Sequence, residues 1–421
     1  MKRSARLQQR NGPSAQSPVP ETWRDRRIDS PGVISQVLGE SSKRILISSN
    51  LWTVGGVESH IIRLCRLLVS DGTEVLFVTR NSTEGVPVLE ALRDIRVRCL
   101  STPFANRGGR ASTLWSMVSW QAQIRDKVDV LYTFDTTWFA VFLSRFVKPD
   151  GYVIGTHAGP PHLEREYIHP ATRQILNGFL VESASQIEAY RSLGVPIGAI
   201  PHLANVRGAS RRRQRKIDTL RVAFMGRLDR NKGMYRLLDV WPTLQIRPAT
   251  LDIYGDGRER LGLEKEVRRL GLEENIRLRG AWTPEELPAI MDKTDLVVLP
   301  TEYEGVPLVL LECMAFGVPF VASDVGAISS LAEDNPDVCV VPLENRAIAS
   351  AIQEMAIGIR SGKIRGDRLQ EYHRKRYSHE ELTRHWVSAL IEPGKFWGPK
   401  KHVKQPSLPR LMLQRVTRAF N

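Results

Sequence analysis

Residues 295–319 read Asp295-Leu-Val-Val-Leu-Pro300 and then Thr-Glu-Tyr-Glu-Gly-Val-Pro-Leu-Val-Leu-Leu-Glu-Cys-Met-Ala-Phe-Gly-Val-Pro. The opening apolar run ends in a proline, which is typical of a buried parallel strand. A helix is predicted after the loop, because Pro307 suits the first helical position and Gly317 is a typical stop. The stretch therefore predicts a strand, a loop and a helix in succession.

Two carboxylates, Glu304 and Glu312, are separated by seven residues across this loop and helix. Free N–H groups at the start of the helix, near Leu308 and Val309, can receive an anion. A sugar nucleotide would suit the arrangement, because it carries hydroxyls on both sides of its phosphates. A lone pair at this spacing is more often found on a capped surface helix with two solvated glutamates, so the interpretation depends on what surrounds it.

A second strand and glycine turn lie upstream, at Val222-Ala-Phe-Met-Gly-Arg-Leu-Asp-Arg-Asn-Lys-Gly233. Arg227 supplies a fork of donors and Lys232 a point charge, the pair usually employed to neutralise a diphosphate. Leu251-Asp-Ile-Tyr-Gly-Asp-Gly257 is a further strand with a glycine turn, and such turns line the ligand crevice of open α/β sheets. Each element alone could decorate an ordinary loop, whereas the ordered set is specific.

The segments Gly-Arg-Leu-Asp-Arg-Asn-Lys-Gly, Tyr-Gly-Asp-Gly and Glu-Gly-Val-Pro-Leu-Val-Leu-Leu-Glu resemble the donor half of the family 4 retaining glycosyltransferases. The resemblance covers roughly residues 44–392 and is strongest over 220–330. It implies an α/β chain with the GT-B fold, in which two doubly wound Rossmann-like domains face each other across a cleft.

The resemblance also implies roles for individual residues. It places Glu304 against the donor sugar and Glu312 against the nucleotide ribose. Arg227 and Lys232 are expected to bind the diphosphate and to take part in catalysis. The other donor-binding positions expected in this half are Asp256, Gly305, Leu308 and Val309.

The N-terminal half supports the same interpretation. A strand at 44–49 is followed by Gly55-Gly56 at a helix start, where glycines let the backbone approach a bulky group. By the resemblance, this loop lies beneath the donor phosphates, which makes Gly56 a donor-binding residue. His157 ends a further strand, and the resemblance implies that it faces the donor sugar near the reacting carbon. A lone histidine is otherwise more often a packed or solvated residue.

Length and alternation favour two α/β domains within the 421 residues. Apolar runs alternate with helical stretches, which predicts parallel sheets with crossover helices. The runs are 44–49, 74–79, 128–133, 151–156, 178–182, 197–201, 220–225, 250–254, 275–279, 295–299, 319–322 and 338–341. The expected division is a disordered basic extension at 1–43, a domain at 44–206, a basic linker at 207–217, a second domain at 218–376, a helix at 377–392 and a basic tail at 393–421. The resemblance implies that the first domain binds the acceptor, that the second binds the donor, and that the helix is a closing helix that returns to the first domain.

The net charge of +14 invites a nucleic-acid interpretation, but the distribution of charge argues against it. Residues 1–44, 207–216 and 393–421 carry +5, +6 and +7, which leaves the rest of the chain at −4. Two interpretations of the tail at 408–420 stay open. One is a solvated end that favours solubility, and the other is a short amphipathic basic helix that contacts an anionic membrane surface.

The chain contains no Asp-x-Asp sequence, the usual metal–diphosphate bridge of the other glycosyltransferase fold. We therefore expect no metal and no cofactor, with Arg227, Lys232 and the helix start stabilising the departing diphosphate. Pro307 departs from the Gly-Phe-Gly trio often seen in the family and removes one N–H from the phosphate cradle. The absence of Gly-x-Gly-x-x-Gly from the first turn argues against a nicotinamide enzyme. Four dispersed cysteines, and no apolar run of ~18 residues, predict a cytoplasmic protein that is at most peripheral to a membrane.

The predicted function is transfer of a hexose-type sugar, with retention, from a UDP- or GDP-sugar to a hydroxyl of a glycan or lipid-linked acceptor, in cell-surface polysaccharide or glycolipid synthesis. Two alternatives remain open: a sugar-nucleotide epimerase or phosphorylase of the same fold, and a catalytically silent domain that serves as a scaffold. The joint presence of five polar residues of the predicted site favours the active transferase. They are Glu304, Glu312, Arg227, Lys232 and His157.

Overall fold

The computed structural model describes residues 43–49, 55–79, 87–101, 127–134, 137–157, 168–210, 216–331 and 335–400. These residues form two parallel sheets, of seven and six strands, with helices around them. The architecture is therefore that of two doubly wound α/β domains, as the sequence predicts. The N-terminal extension up to residue 42, linker residues 211–215 and the tail from residue 401 lie outside the described residues.

The first sheet has the strand order β3-β2-β1-β4-β5-β6-β7, and every neighbouring pair is parallel. Its strands are β1 Arg44–Ser48, β2 Glu74–Thr79, β3 Arg98–Ser101, β4 Val128–Thr133, β5 Val147–Thr156, β6 Gly178–Val181 and β7 Ile197–Ala199. The order changes direction between β1 and β4. In open α/β sheets, ligands bind beyond the carboxyl ends of the strands at such a switch point.

The second sheet repeats the plan with the order β10-β9-β8-β11-β12-β13, again parallel throughout. Its strands are β8 Leu220–Met225, β9 Ala249–Tyr254, β10 Ile276–Gly280, β11 Leu296–Leu299, β12 Phe320–Ser323 and β13 Val338–Val341. Here the switch point lies between β8 and β11. The loops that leave these two strands therefore start side by side.

The helices of the described residues cover both sheets. They are α1 Gly56–Ser70, α2 Pro87–Asp94, α3 Trp138–Leu143, α4 Pro170–Ile175, α5 Ile187–Tyr190, α6 Met234–Val240, α7 Arg260–Arg269, α8 Leu287–Asp292, α9 Leu308–Phe316, α10 Ile328–Leu331, α11 Asn345–Arg360, α12 Asp367–Arg376, α13 His379–Ile391 and α14 Pro393–Trp397. Pro307 is the residue before α9, and the helix ends at Gly317 with φ of 67°. The predicted stop is therefore confirmed, and the start lies one residue later than expected.

Several strand bounds differ from the predicted runs: β5 begins at Val147 and not at residue 151, and β7 ends at Ala199 and not at residue 201. β3 was not predicted, because Arg98–Ser101 is short and begins with an arginine, and it lies at the edge of the sheet where little apolar pattern is required. β6 ends at Val181, whereas the predicted run extended to 182. Glu182 is consequently a loop residue at the carboxyl edge of the first sheet.

The closing helix α13 packs on the first sheet, although it follows the second sheet in sequence. Leu382, Trp386 and Leu390 are buried in the same core as β1 and α1. The indole N–H of Trp386 donates to the Pro201 carbonyl at 3.1 Å. This helix therefore supplies one wall of the first domain's core.

The folded part of the chain extends further than the predicted tail at 393–421 allows. Residues 393–397 form α14, and Trp397 is only 6% exposed. Its indole N–H donates to the Ala389 carbonyl at 2.9 Å. Lys400 Nζ donates to the Pro149 carbonyl at 2.9 Å. The segment up to residue 400 thus belongs to the first domain, which corrects the expected start of the tail.

Candidate active site

Lys232 and Glu304 form an ion pair at the carboxyl edge of the second sheet. Lys232 Nζ lies 2.5 Å from Glu304 Oε1, and each side chain is 15% exposed. The hydroxyl of Thr301 lies 3.4 Å from the same carboxylate oxygen. The pair is partly shielded from water, so its electrostatic interaction is stronger than that of an exposed surface pair.

The strand order explains why these distant residues meet. β8 and β11 are neighbours, and the loops after them carry Lys232 and Glu304. The Glu302 N–H donates to the Asn231 carbonyl at 2.8 Å, which joins the two loops. Gly233 has φ of 79°, and a Cβ at this position would overlap the Pro300 carbonyl oxygen. Only glycine permits so close a turn, and this turn holds Lys232 over the end of β11.

The Gly55-Gly56 turn of the first domain faces this edge across the cleft. A Cβ on Gly56 would lie 3.8 Å from Leu308 Cδ1, and one on Gly55 would lie 3.9 Å from the Arg227 guanidinium carbon. Gly56 begins α1 and Leu308 begins α9, so two helix starts lie close together. Their first N–H groups have no intrahelical acceptors and carry partial positive charge. Together with Lys232, they make the cleft attractive to anions.

Arg227 and Asp256 are the more exposed members of the predicted set. The Arg227 side chain is 50% exposed, and its Nε lies 3.5 Å from Asp229 Oδ2. Asp256 follows β9 and is exposed, and its Oδ1 accepts a hydrogen bond from the Gly257 N–H at 2.8 Å. Arg227 therefore lies at the rim of the cleft, whereas the carboxylate of Asp256 closes its own turn.

Glu312 has different surroundings from Glu304. Its side chain is 8% exposed, and its Oε1 accepts the Asn205 N–H at 3.1 Å. Arg63 Nη2, from α1 of the first domain, lies 3.9 Å from the same oxygen. Burial raises the pKa of Glu312 to about 7, against the opposing effects of Arg63 and the Asn205 N–H. The structure thus places this carboxylate against the first domain and the start of the linker, and its contact with a ribose stays a prediction.

The N–H groups at the start of α9 are not equivalent. Pro307 has none, and the Val306 N–H donates to the Glu182 carboxylate of the first domain. Gly305 is buried beside this carboxylate. A Cβ at this position would overlap Glu182 Oε2, so the close approach requires glycine. An anionic ligand would consequently meet the N–H groups of Leu308 and Val309. The Val306 N–H is thus lost to a phosphate in addition to the one that Pro307 lacks, and the predicted contacts of Leu308 and Val309 with a phosphate stay a prediction.

His157 directly follows β5 at the carboxyl edge of the first sheet. In the β5–β6 register the last pair is Thr156 with Leu180, and His157 is the next residue of its chain segment after this pair. It is thereby one strand away from Glu182, which reaches the donor loop of the second domain. The placement is at the predicted edge, and its role toward a sugar stays a prediction.

Three buried polar residues near the cleft were not singled out from the sequence. Glu182 Oε1 lies 3.1 Å from His202 Nδ1, with the two side chains 5% and 4% exposed. The His202 ring stacks on His60 of α1 at 4.0 Å between centroids and 10° between planes. A signal for Glu182 existed, since a carboxylate directly after an apolar strand lies at the ligand-binding edge. No local pattern indicates that His60 and His202 would meet, because they are 142 residues apart.

In the described ranges, no group of three or more His, Cys, Asp or Glu is placed to hold a metal ion. In the same part of the chain, no helix has the length and apolar character that crossing a membrane requires.

Two family models match the chain. The model described as Glycosyltransferase Family 4 matches residues 54–206, and the one described as Glycosyl transferases group 1 matches residues 219–356. The first match contains β2 to β7 of the first sheet and begins after β1, and the second contains all six strands of the second sheet. Together the two matches span more than half of the chain.

Two curated relatives show how far the likeness extends. The chain is 25% identical over 353 residues to glycogen synthase of Mycobacterium tuberculosis, which covers 72% of this chain and 82% of that protein. It is 33% identical over 137 residues to alpha-D-kanosaminyltransferase of Streptomyces kanamyceticus, which covers 32% of this chain and 36% of that protein. The chain thus matches little more than a third of the length of this second relative.

Among solved structures, Anabaena HepE in complex with UDP and glucose is similar with a TM-score of 0.66 at 16% identity, over 83% of this chain and 100% of that one. At this identity the likeness shows the fold. Combined with the family matches over both sheets, it leads to one assignment. The chain belongs to the family 4 glycosyltransferases and has their GT-B fold.

Proposed function

We propose that this protein is a retaining glycosyltransferase that moves a hexose-type sugar from a UDP- or GDP-sugar to a hydroxyl of a glycan or lipid-linked acceptor. The observation that carries the proposal is the Lys232–Glu304 pair, held at 2.5 Å beside the start of α9 and opposite Gly56. This arrangement gathers a cation, a carboxylate and two sets of helix N–H groups at one cleft. A nucleotide sugar needs cationic groups for its diphosphate and a carboxylate for its sugar hydroxyls.

In the proposed reaction, Arg227 and Lys232 neutralise the diphosphate together with the N–H groups of Leu308 and Val309. These donors are in place before the reaction, so they stabilise the charge that develops on the leaving diphosphate. Glu304 accepts hydrogen bonds from the sugar and orients it, and it forms no covalent bond. His157 lies near the reacting carbon.

Retention requires the acceptor to enter on the face that the diphosphate leaves. The bond between the anomeric carbon and the phosphate oxygen breaks, and its electron pair stays on the diphosphate. The acceptor oxygen bonds to the same carbon from the same side. The leaving phosphate oxygen takes the acceptor's proton, so charges and atoms balance without a protein base.

The relatives support the donor and acceptor classes. Anabaena HepE was solved in complex with UDP and glucose, and the Mycobacterium tuberculosis relative is named a glycogen synthase. A nucleotide sugar and a glycan hydroxyl are therefore the substrate classes to test first. We place the reaction in cell-surface polysaccharide or glycolipid synthesis on the cytoplasmic side.

We also propose that the reaction needs no metal ion and no cofactor. Arg227 and Lys232 supply the positive charge that a metal would otherwise bring to the diphosphate. Turnover in excess EDTA that equals turnover in magnesium supports this proposal, and loss of activity in EDTA that magnesium restores would contradict it.

The basic tail is proposed to contact an anionic membrane surface. The structure decides where the tail should be cut, because Trp397 is buried and a deletion from residue 395 would damage the core. A chain ending at residue 400 keeps α14. We expect the full chain, but not the shortened one, to sediment with vesicles that contain an anionic lipid. Equal sedimentation of the two chains would contradict the proposal.

Calorimetric titration with UDP and with GDP, in EDTA and then in magnesium, tests the proposed function. We expect metal-independent binding of one nucleotide and a Kd raised by about 10-fold or more in Arg227→Ala. Binding of neither nucleotide would favour the silent scaffold or a different nucleotide. Nucleotide binding with conversion of the donor sugar, but no transfer to an acceptor, would favour the epimerase.

A further inference from the structure

One carboxylate of the first domain crosses the cleft and contacts the loop that contains Glu304. Glu182 follows β6, and its Oε2 accepts the Val306 N–H. Its Oε1 lies 3.1 Å from His202 Nδ1, and the side chain is only 5% exposed. Its own backbone N–H donates to Gln186 Oε1 at 3.0 Å. Both carboxylate oxygens and the backbone N–H have partners, so the group is held in one position.

The contact lies directly beside the proposed sugar-orienting residue. Gly305 separates Glu304 from Val306, and it has no side chain to keep Glu182 away. A Cβ on Gly305 would overlap Glu182 Oε2, so the close approach requires glycine here. On the other side of Gly305, Glu304 is fixed by Lys232 at 2.5 Å. The loop is thus held at two points, one from each domain.

The support behind Glu182 consists of two buried, stacked histidine rings. His202 stacks on His60, and His60 Nδ1 accepts the Leu203 N–H at 3.0 Å. Burial lowers the pKa of His202 to about 3 and lowers that of His60 as well, so both rings are neutral at pH 7. A neutral His202 that carries its proton on Nδ1 donates to Glu182. The two oxygens of Glu182 then accept hydrogen bonds from this ring and from the Val306 N–H beside the start of α9.

This geometry distinguishes Glu182 from an ordinary contact between domains. It occupies the Val306 N–H, the last backbone donor before the start of α9, since Pro307 has none. A hydroxyl contact nearby, Ser183 Oγ to Ser330 Oγ at 2.9 Å, joins the same two domains without touching this loop. Domain contact alone therefore does not require a buried carboxylate against the Val306 N–H.

We propose that Glu182 is a positioning residue of the transfer reaction: by holding the Gly305–Val306 peptide from the first domain, it sets the orientation of Glu304 toward the donor sugar. This inference rests on the proposed function. It assigns no contact between Glu182 and the substrate. Its consequence is that loss of Glu182 affects turnover more than nucleotide affinity, because Arg227, Lys232 and the start of α9 are unaltered.

The test measures two quantities in Glu182→Ala and Glu182→Gln: nucleotide affinity, by titration with UDP and GDP, and the rate of nucleotide release from the donor sugar. We expect Glu182→Ala to lower kcat about 100-fold, the effect of a displacement of about 1 Å in an active site, and to change the nucleotide Kd less than about threefold. Glu182→Gln should recover at least about tenfold in kcat, because its amide oxygen still accepts the Val306 N–H and its NH₂ can donate to the other tautomer of His202. Glu188→Gln is the control, since this exposed glutamate on the same segment pairs with Arg191 at 2.8 Å, away from the cleft loop.

A second variant keeps the inference testable if Glu182→Ala does not fold. His202→Phe retains an aromatic ring against His60 and removes the hydrogen bond to Glu182. We expect a loss of about tenfold in kcat with unchanged nucleotide affinity.

Three results would overturn the inference. A wild-type kcat in folded Glu182→Ala would contradict the positioning role and leave the proposed function standing. If Glu182→Ala does not fold, a wild-type kcat in His202→Phe would have the same meaning. Equal losses of nucleotide affinity, turnover and thermal stability in the Ala and Gln variants, without recovery by Gln, would indicate a purely structural contact. If the wild-type protein binds neither UDP nor GDP, the result contradicts the proposed function. The inference about Glu182, which rests on that function, is then contradicted as well.

Discussion

The two sides of the cleft differ in how exposed their polar residues are and in whether sequence motifs mark them. On the second-domain side, Lys232 and Glu304 lie in short sequence motifs at neighbouring strand ends, and their pair remains partly open to water. On the first-domain side, Glu182 and His202 are almost fully buried and lie in segments without a motif. The difference teaches that residues proposed to meet the donor directly are concentrated in local sequence patterns. Residues that hold those patterns in place come from distant segments and become visible only in the folded chain.

Replacing Glu304 by Ala should have the largest effect, because this residue is the proposed contact to the sugar. We expect kcat to fall about 100-fold or more, with nucleotide affinity changed less than about threefold. The measurements are nucleotide release from the donor and calorimetric titration. Glu302→Ala, an exposed glutamate of the same loop, is the matched control. Full activity in Glu304→Ala would show that Glu304 does not make the proposed contact with the sugar, so the second-domain side would not be the side that meets the donor sugar.

Removing the cations of the donor side should reduce both affinity and turnover. In Lys232→Ala and Arg227→Ala, the diphosphate loses a charge-assisted contact, so we expect nucleotide Kd to rise by about 10-fold or more. Arg230→Ala is the control for net charge, because this exposed arginine of the same loop lies over the Tyr235 ring at 5.6 Å. An equal effect of Arg230→Ala would show that overall charge, and not position, determines binding.

Glu312→Gln tests the buried carboxylate that touches both domains. Because burial raises the folded-state pKa of Glu312 to about 7, from an ordinary value of 4.5, its contribution to stability is complete below about pH 4.5 and is lost as the pH rises through 7. Gln does not titrate, so the Tm of the variant should rise relative to wild type between pH 5 and pH 8. Parallel Tm curves at pH 5, 6.5 and 8 would show that Glu312 does not titrate in this range.

The smallest effect is expected for Ser330→Ala. This hydroxyl lies 2.9 Å from Ser183 Oγ and 3.4 Å from Ser185 Oγ, and it joins the two domains without any charge. Its loss should lower stability by about 0.5–1.5 kcal/mol, which thermal unfolding can detect against Ser350→Ala, a surface control. Unchanged turnover in Ser330→Ala would show that this contact only joins the domains, unlike the proposed role of Glu182. A large loss of turnover would show that contacts between the domains affect the reaction without any role for Glu182.

The fold was largely predictable because parallel strands buried on both faces produce continuous apolar runs, such as Leu296–Leu299. The loops after β8 and β11 were also predictable, because motif glycines mark the turns at the ends of these two strands. Their motifs are those of the family's donor half, which predicts that the two loops share one site. Strand β3 was missed because a short edge strand needs no apolar pattern. The end of β6 was placed one residue late, which concealed the position of Glu182 at the sheet edge.

Predicting the rest of the site required knowledge of contacts between distant residues. The stacking of His60 on His202 depends on how α1 packs beside the segment after β7, and the surroundings of Glu312 depend on Arg63 from the other domain. The sequence indicates that Glu312 lies on a helix, but the burial that moves its pKa results from tertiary packing. Motifs therefore identify candidate residues, and long-range packing determines their electrostatic surroundings.

The packing of α13 and α14 on the first sheet has a consequence for how the chain is made. A ribosome releases residues 44–199 early, but the side chains that complete their core, Leu382, Trp386 and Trp397, are among the last of the described residues to emerge. The second sheet has all of its strands by residue 341. The half that is synthesised first is therefore completed last, and until then it exposes an apolar face that a chaperone can bind. A fragment ending near residue 206 should consequently be insoluble when expressed alone.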